Sequence, residues 1–242
     1  MKTWLKIAKV VAGVIFATTA YAEPVSLASL LTGGSIVAGD KQFDRFAVTF
    51  YSSTDGRAAL NANNILIEGN NTNALNPGLD FSVLNGELSI SGADNFLDLT
   101  LAFRVSVLNP AMSMNGASLE IESGTISNPD GIDNAGMYIR EELGSALNGD
   151  DLGFMEVEFA QPATGGIDGS DSAAFAARSE LWVSKNFGIF ALGATDTAIL
   201  TSFSQRFAQR PDNNVPEPGS LALVALAIVA LARSQRRRPS EA

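Results

Sequence analysis

From Phe96 to Leu108 the chain alternates without interruption: Leu97, Leu99, Leu101, Phe103, Val105 and Val107 fall on one side, and Asp98, Thr100, Ala102, Arg104 and Ser106 on the other. A period of two held over this length specifies a half-buried β-strand and excludes an amphipathic helix, whose apolar positions recur every three to four residues. Asn109-Pro110 ends the run with turn chemistry.

Shorter segments repeat the pattern. Phe46, Val48 and Phe50 alternate ahead of the turn-like Ser52-Ser53-Thr54-Asp55-Gly56. Leu119 and Ile121 alternate with Glu120 and Glu122 before Gly124, and Met155, Val157 and Phe159 with Glu156 and Glu158; Leu181 and Val183 continue the theme. Strands punctuated by Gly, Asn, Asp and Pro clusters, with few long helical stretches, predict an all-β fold, an antiparallel β-sandwich of which a jelly roll is one version. Two short helical signals accompany them, Leu27/Leu30/Leu31 and the i, i+4, i+8 series Ile139, Leu143 and Leu147. Both read as packing devices.

The two ends have a different character. Lys2, Lys6 and Lys9 precede and flank an apolar stretch from Val10 to Phe16, and Ala20-Tyr21-Ala22 supplies small residues for cleavage before Glu23. This is the layout of a signal peptide, residues 1–22, with Ala20 and Ala22 in the signal-peptidase pocket. An uncleaved anchor is the competing reading, but the stretch is shorter than the ~20 residues a spanning helix needs.

At the other end, Val215-Pro216-Glu217-Pro218 is held extended by its prolines. An uncharged run of helix formers, Leu221 to Ala232, follows, and Arg233, Arg236, Arg237 and Arg238 close it. Such a cluster stays on the cytoplasmic side and acts as a membrane stop. The domain organisation expected is therefore a signal peptide over 1–22, a β-sandwich passenger domain over 23–209 and a linker over 210–214. A tail over 215–242 completes it, with its motif at 215–218, a short transmembrane helix at 219–232 and the arginine cluster at 233–238.

The order of these three tail elements resembles the PEP-CTERM sorting tail of Gram-negative bacteria, similar in logic to the LPXTG tail of Gram-positive organisms. The resemblance implies recognition near Pro216-Glu217-Pro218 by a membrane-embedded exosortase with its own cysteine nucleophile. It also implies a bacterium that makes extracellular polysaccharide. The middle of the chain is similar to the passenger domain of some PEP-CTERM proteins, through Asp80-Phe81-Ser82, Phe103 to Val107 and Ser179 to Asn186. That likeness brings no activity with it. The chain is thus expected to be exported across the inner membrane, held there transiently, and displayed at the surface or released after processing by signal peptidase and exosortase. Extracellular polysaccharide is the environment implied.

Composition removes several chemistries. There is no cysteine and no histidine, so a Ser-His-Asp triad, a Cys-His dyad and the usual zinc sites cannot be built. The net charge of −10 is unevenly spread: seven of the 16 basic residues are the three N-terminal lysines and the four tail arginines. The middle keeps nine bases against 24 acids once Glu217 and Glu241 are set aside, about −15, which repels phosphate backbones. Nucleic acid is not an expected partner.

Among the remaining chemistry, Asn128-Pro129-Asp130-Gly131-Ile132-Asp133-Asn134 gathers oxygen ligands around a glycine, with Asp130, Asp133 and Asn134 as candidate calcium ligands. An acidic turn between strands is the alternative, and no other cofactor is expected. Gly166 to Asp171 is a weaker version. Carboxylate pairs at Glu141-Glu142, Asp150-Asp151 and Glu156/Glu158 have the groups a glycosidase uses, but residues of this kind on strands and turns form a solvated face, and no enzyme is expected. For stacking on sugar rings the chain offers Trp182, Tyr51 and Tyr138; Trp182 stands on the opposite strand face from Leu181 and Val183, where burial in a two-sided strand is the reading preferred over exposure. The function expected is non-catalytic, a surface or matrix component; a calcium-assisted carbohydrate-binding module is the alternative.

Overall fold

In a computed structural model, residues 23–212 are described apart from 130, 132, 133 and 162–168. In chain order the strands are β1 (Val25–Ser26), β2 (Ile36–Ala38), β3 (Lys41–Ser53), β4 (Ile65–Asn70), β5 (Gly78–Val83), β6 (Ser89–Ser91), β7 (Asn95–Val107), β8 (Met112–Ser127), β9 (Ala135–Gly144), β10 (Gly153–Gln161), β11 (Ser170–Arg178), β12 (Glu180–Ala191) and β13 (Thr197–Pro211). One sheet runs β1-β4-β5-β13-β8-β11, with β6 also pairing β13, and the other runs β10-β9-β12-β7-β3-β2. Every pairing is antiparallel. The all-β expectation holds.

Alternation determines which residues meet between the sheets. On β7, Leu97, Leu99, Leu101, Phe103 and Val105 are buried to within 1% exposure, while Arg104 turns outward and grips Asp44 of β3 with two nitrogens at 2.7 and 2.8 Å. On β13, Phe203 and Phe207 point inward. Phe203 packs on Phe187 of the facing sheet at a centroid distance of 5.1 Å, and Phe207 on Phe43 at 5.8 Å. Phe203 also stacks on its own sheet's Phe81 at 4.3 Å. Such ring pairs add about 0.5–1.5 kcal/mol beyond their area burial, and here they lock one face onto the other.

The short helix α1 (Leu27–Leu31) forms where the leucine cluster predicts it. The Ser26 hydroxyl accepts from Ser29 N at its start, and Leu27 and Leu30 are buried. The second helical expectation is overturned: Ile139 and Leu143 lie in β9, and Leu147 is 43% exposed in the turn after it. A spacing of four places two residues on one face of a strand as well as of a helix. What decides between them is β9's pairing on both sides, with β10 and with β12.

β3 is also less regular than its alternation implies. Its ladder with β7 slips between Asp44 and Ala47 and again between Val48 and Phe50, and Arg45 sits at φ 56° in the first irregularity. The shift leaves Phe46 buried and turns Phe50 outward, 50% exposed, so the two phenylalanines do not share a face. This is the usual consequence of a bulge, which re-aims the side chains beyond it.

The last strand extends to Pro211, carrying Arg210 and Pro211, read from sequence as linker, into the ladder opposite Ser113 and Met112. Where the sheets' edge strands β10 and β11 approach one another, the Asp171 carboxylate accepts from Glu156 N at 2.9 Å and from Ser172 N at 2.7 Å. An edge donor that would otherwise face outward unpaired is thereby occupied.

Candidate functional site

Among the described residues, the outer face of the six-stranded sheet carries the exposed phenylalanines Phe50, Phe96 and Phe154. Register places Glu158, Tyr138, Gly188, Asp98 and Ser52 in one row across β10, β9, β12, β7 and β3. The neighbouring row is Glu156, Arg140, Asn186, Thr100 and Phe50. Beyond these, Phe154 and Glu142 lie to one side and Phe190 and Phe96 to the other. Trp182 stands further along β12 beside Arg104.

Phe154, Phe50 and Phe96 are 56%, 50% and 47% exposed. The Arg140 guanidinium lies 4.6 Å from the Phe154 ring centre and ion-pairs with Glu156 at 3.2 Å. Arg45 approaches the Trp182 ring at 5.9 Å. Asn186 Nδ2 donates to Asp98 Oδ1 at 2.6 Å. Burial, with the Asp98 and Glu156 charges adding to it, holds the Tyr138 phenol above its ordinary pKa.

Two of the three aromatic residues singled out from sequence, Trp182 and Tyr138, therefore share this face on adjacent strands. Tyr51 does not; its ring packs against the core. Phe50, Phe96, Phe154 and Phe190 join Trp182 and Tyr138 there, residues without the polar handle that marks Trp and Tyr as platform residues in a sequence. Alternation alone would have found Phe154 and Phe190.

Several of the acidic candidates are engaged in contacts within the domain. In the 128–134 loop, Asp130 and Asp133 lie outside the described residues. Asn128 Oδ1 accepts from Gly131 N at 2.8 Å, and the carbonyl of Asn134 accepts from Leu192 N at 3.0 Å. Among the described residues, no group of three or more carboxylates could hold a metal ion. Asp151 takes Ser145 N at 2.7 Å, and that backbone bond lowers its pKa. Glu142 faces Arg140 at 3.5 Å.

Glu141 corrects the expectation of a solvated face. It is 0% exposed, points between the sheets and ion-pairs with Lys185, its cross-strand partner on β12. Lys185 is equally buried and also donates to Gln205 of β13 in the facing sheet. Burial drives the Lys185 pKa well below that of a free lysine. A second inward lysine, Lys41 of β3, donates to Asp40 Oδ1 at 2.6 Å and to Gln209 of β13. Gln205 and Gln209, four apart on one strand, thus each meet a lysine from the opposite sheet. The sequence signal was present, a lysine and a glutamate on the apolar parity of their strands, but charged residues at such positions are read as exposed by default.

The domain hands over to the tail beside a cleft of about 500 Å³ lined by Asn109, Pro110, Arg178, Glu180 and Asp212. Asp212 N donates to Ala111 O at 2.7 Å, tying the end of β13 to the β7–β8 turn. The signal-cleavage residues Ala20 and Ala22 lie outside the described residues. So do Val215, Pro216, Glu217 and Pro218, and Arg233, Arg236, Arg237 and Arg238. Residues 214–238 match the family described as the PEP-CTERM protein-sorting motif. The chain carries a PEP-CTERM sorting motif. The motif marks an exported protein sorted by an exosortase, and it covers every tail residue assigned a role from sequence. No curated protein matches the chain. Among the described residues no helix is long and apolar enough to cross a membrane; the apolar run inside the PEP-CTERM motif lies outside them.

Proposed function

We propose that this chain is a non-catalytic cell-surface or extracellular-matrix protein of a polysaccharide-producing Gram-negative bacterium, delivered by an exosortase. The observation that carries this reading is the PEP-CTERM motif over 214–238, directly after a β-domain whose last described residue is Asp212. In this reading signal peptidase cuts after Ala22 and the domain crosses the inner membrane. The 219–232 helix then holds the chain transiently, with Arg233, Arg236, Arg237 and Arg238 on the cytoplasmic side. Exosortase acts near Pro216-Glu217-Pro218. The domain delivered is strongly acidic, which keeps it soluble and separate among other anionic chains. Mass spectrometry of the C-terminus of the surface form tests this, in a host with exosortase and in one lacking it. Truncation near Glu217 in the first host alone is expected, and a tail reaching Ala242 on the surface form of the exosortase host overturns the reading.

A second reading, a calcium-assisted carbohydrate-binding module, is supported by the outer face of the six-stranded sheet. Trp182 and the Tyr138/Gly188 row stand six residues apart along β12, about 20 Å at strand spacing, with amide, hydroxyl and carboxylate groups between them. Amphipathic rings interleaved with hydrogen-bonding groups suit sugars, which present an apolar face and a hydroxylated rim. A glycan array run with and without chelator decides. A specific signal lost on Trp182→Ala and weakened by chelator supports this reading, and no signal above background removes it.

A further inference from the structure

The buried group formed by Lys185, Glu141 and Gln205 has the composition of a reaction centre rather than of a simple ion pair. All three residues are 0% exposed. Lys185 Nζ contacts both Glu141 Oε2 and Gln205 Oε1. The other ends of the two acceptors, Glu141 Oε1 and Gln205 Nε2, are buried without a hydrogen-bond partner. The surroundings are apolar: Nζ lies 5.9 Å from the Phe203 ring centre, and Phe187 and Phe203 pack together beside it. A buried ion pair with orphaned polar atoms is a poor stabilising device, since desolvation offsets its Coulomb attraction.

We propose that Lys185 and Gln205 become joined by an amide bond, formed by the chain on itself, that ties β12 of one sheet to β13 of the other. In the dry site the proton shared by lysine and glutamate rests on the carboxyl, leaving a neutral amine, the nucleophilic form. Nζ attacks Cδ of Gln205 and the new C–N bond forms. Glu141 Oε2, in contact with Nζ, receives one proton from it, and a turn of the carboxyl, whose Oε1 is held by no partner, carries Glu141's own proton to Nε2 in the general acid–base role. The Cδ–Nε2 bond breaks and ammonia leaves. Lysine has lost one hydrogen, glutamine its amide NH2 group, and Glu141 ends as it began, so no oxidant or cofactor enters. The depressed pKa of Lys185 agrees with the neutral amine this step requires. Amide exchange is slow in water, but two groups held in contact by a folded core gain effective molarities of order 10⁵ M and above.

The other lysine–glutamine pair lacks two of these features. The Gln209 Nε2 donates to Ala74 O at 2.7 Å, so its leaving nitrogen is occupied, and the Asp40 side chain is 19% exposed. Lys41 and Gln209 therefore stay hydrogen-bonded. The Lys185–Gln205 bond does not depend on the sorting or carbohydrate reading. It is a cross-link available to a chain that has no cysteine.

The test is a tryptic digest of the purified, denatured full-length protein. An unlinked chain yields separate peptides 179–185 and 186–206, because trypsin cuts after Lys185. The linked chain resists that cut and yields one span, 179–206, lighter than its sequence mass by one ammonia, with fragment ions placing the link at 185 and 205. Glu141→Gln, which keeps shape but cannot relay the proton, is expected to restore most of the two unlinked peptides. Wild-type protein giving only the two separate peptides overturns the proposal whatever the variant does. So does a span joined instead to peptide 141–178 with loss of water, which would make Glu141 the acceptor.

Discussion

The ring of Tyr138 lies across Gly188, its partner in the β9–β12 ladder, so closely that a Cβ at 188 would stand 2.1 Å from Cε1. Two pairs along, on the same face, the arrangement is reversed: Phe190 covers Gly136, whose Cβ would stand 2.8 Å from Cζ. Each aromatic ring shields the backbone that its glycine partner leaves bare, and each glycine admits a ring flat against the sheet. These two pairs turn the outer face into a shelf of exposed ring surface.

Gly188→Ala should displace Tyr138 and destabilise the domain by about 1–3 kcal/mol, the range for forcing a side chain into filled space. Thermal or urea unfolding reads the change. Combining it with Tyr138→Ala should recover most of the loss, because the clash disappears with the ring. Additive losses would show that the strain is in the backbone.

Lys41→Met removes the donor that reaches from β3 to Gln209 of β13 and leaves the Asp40 and Gln209 oxygens short of a partner. A loss of about 1–3 kcal/mol is expected, the usual cost of buried polar groups left unsatisfied. Lys41→Met/Gln209→Leu should cost less than Lys41→Met alone, since the second change removes one orphaned group. A melting-temperature series across the three proteins measures this.

Acid sensitivity should trace in part to Asp55. Hydrogen bonds from Arg57 at 2.8 and 2.5 Å hold its carboxyl at about 2 instead of 3.8. A depressed folded-state pKa stabilises fully above the unfolded value and is lost as pH falls through the folded one. The stability difference between wild type and Arg57→Met should therefore be level above about pH 5 and shrink from about pH 4 to 2. At this exposed turn it should reach only about 1 kcal/mol. A difference unchanged down to pH 2 would assign the effect to the Arg57 bonds to the Glu87 and Ser89 carbonyls instead.

In the tail, Glu217→Ala within Pro216-Glu217-Pro218 should block processing. The full-length form, with Arg233, Arg236, Arg237 and Arg238 still attached, is expected to accumulate in the membrane fraction at the expense of the surface form, as read by immunoblotting both fractions with an antibody to the β-domain, which detects both forms. Equal surface display of variant and wild type would show that the glutamate is not what the exosortase reads.

The sequence by itself determined what depends on local order along the chain. The Leu97 to Val107 alternation specified a strand, since side chains two apart always share a face, and the Val215 to Arg238 succession was legible because a sorting signal is read as a linear string. The same parity set Trp182 on the strand face opposite Leu181 and Val183, but its partial exposure there was decided by the tertiary structure, since burial in a two-sided strand fits the same pattern. Tertiary structure decided what depends on which strands become neighbours. Ile139 and Leu143 satisfy helix and strand spacing equally, and only pairing with β10 and β12 made them strand residues. The meeting of Glu141, Lys185 and Gln205 required β9, β12 and β13 to converge on one point of the core. No local pattern encodes such a meeting, because the interactions that draw the strands together act through space and not along the chain.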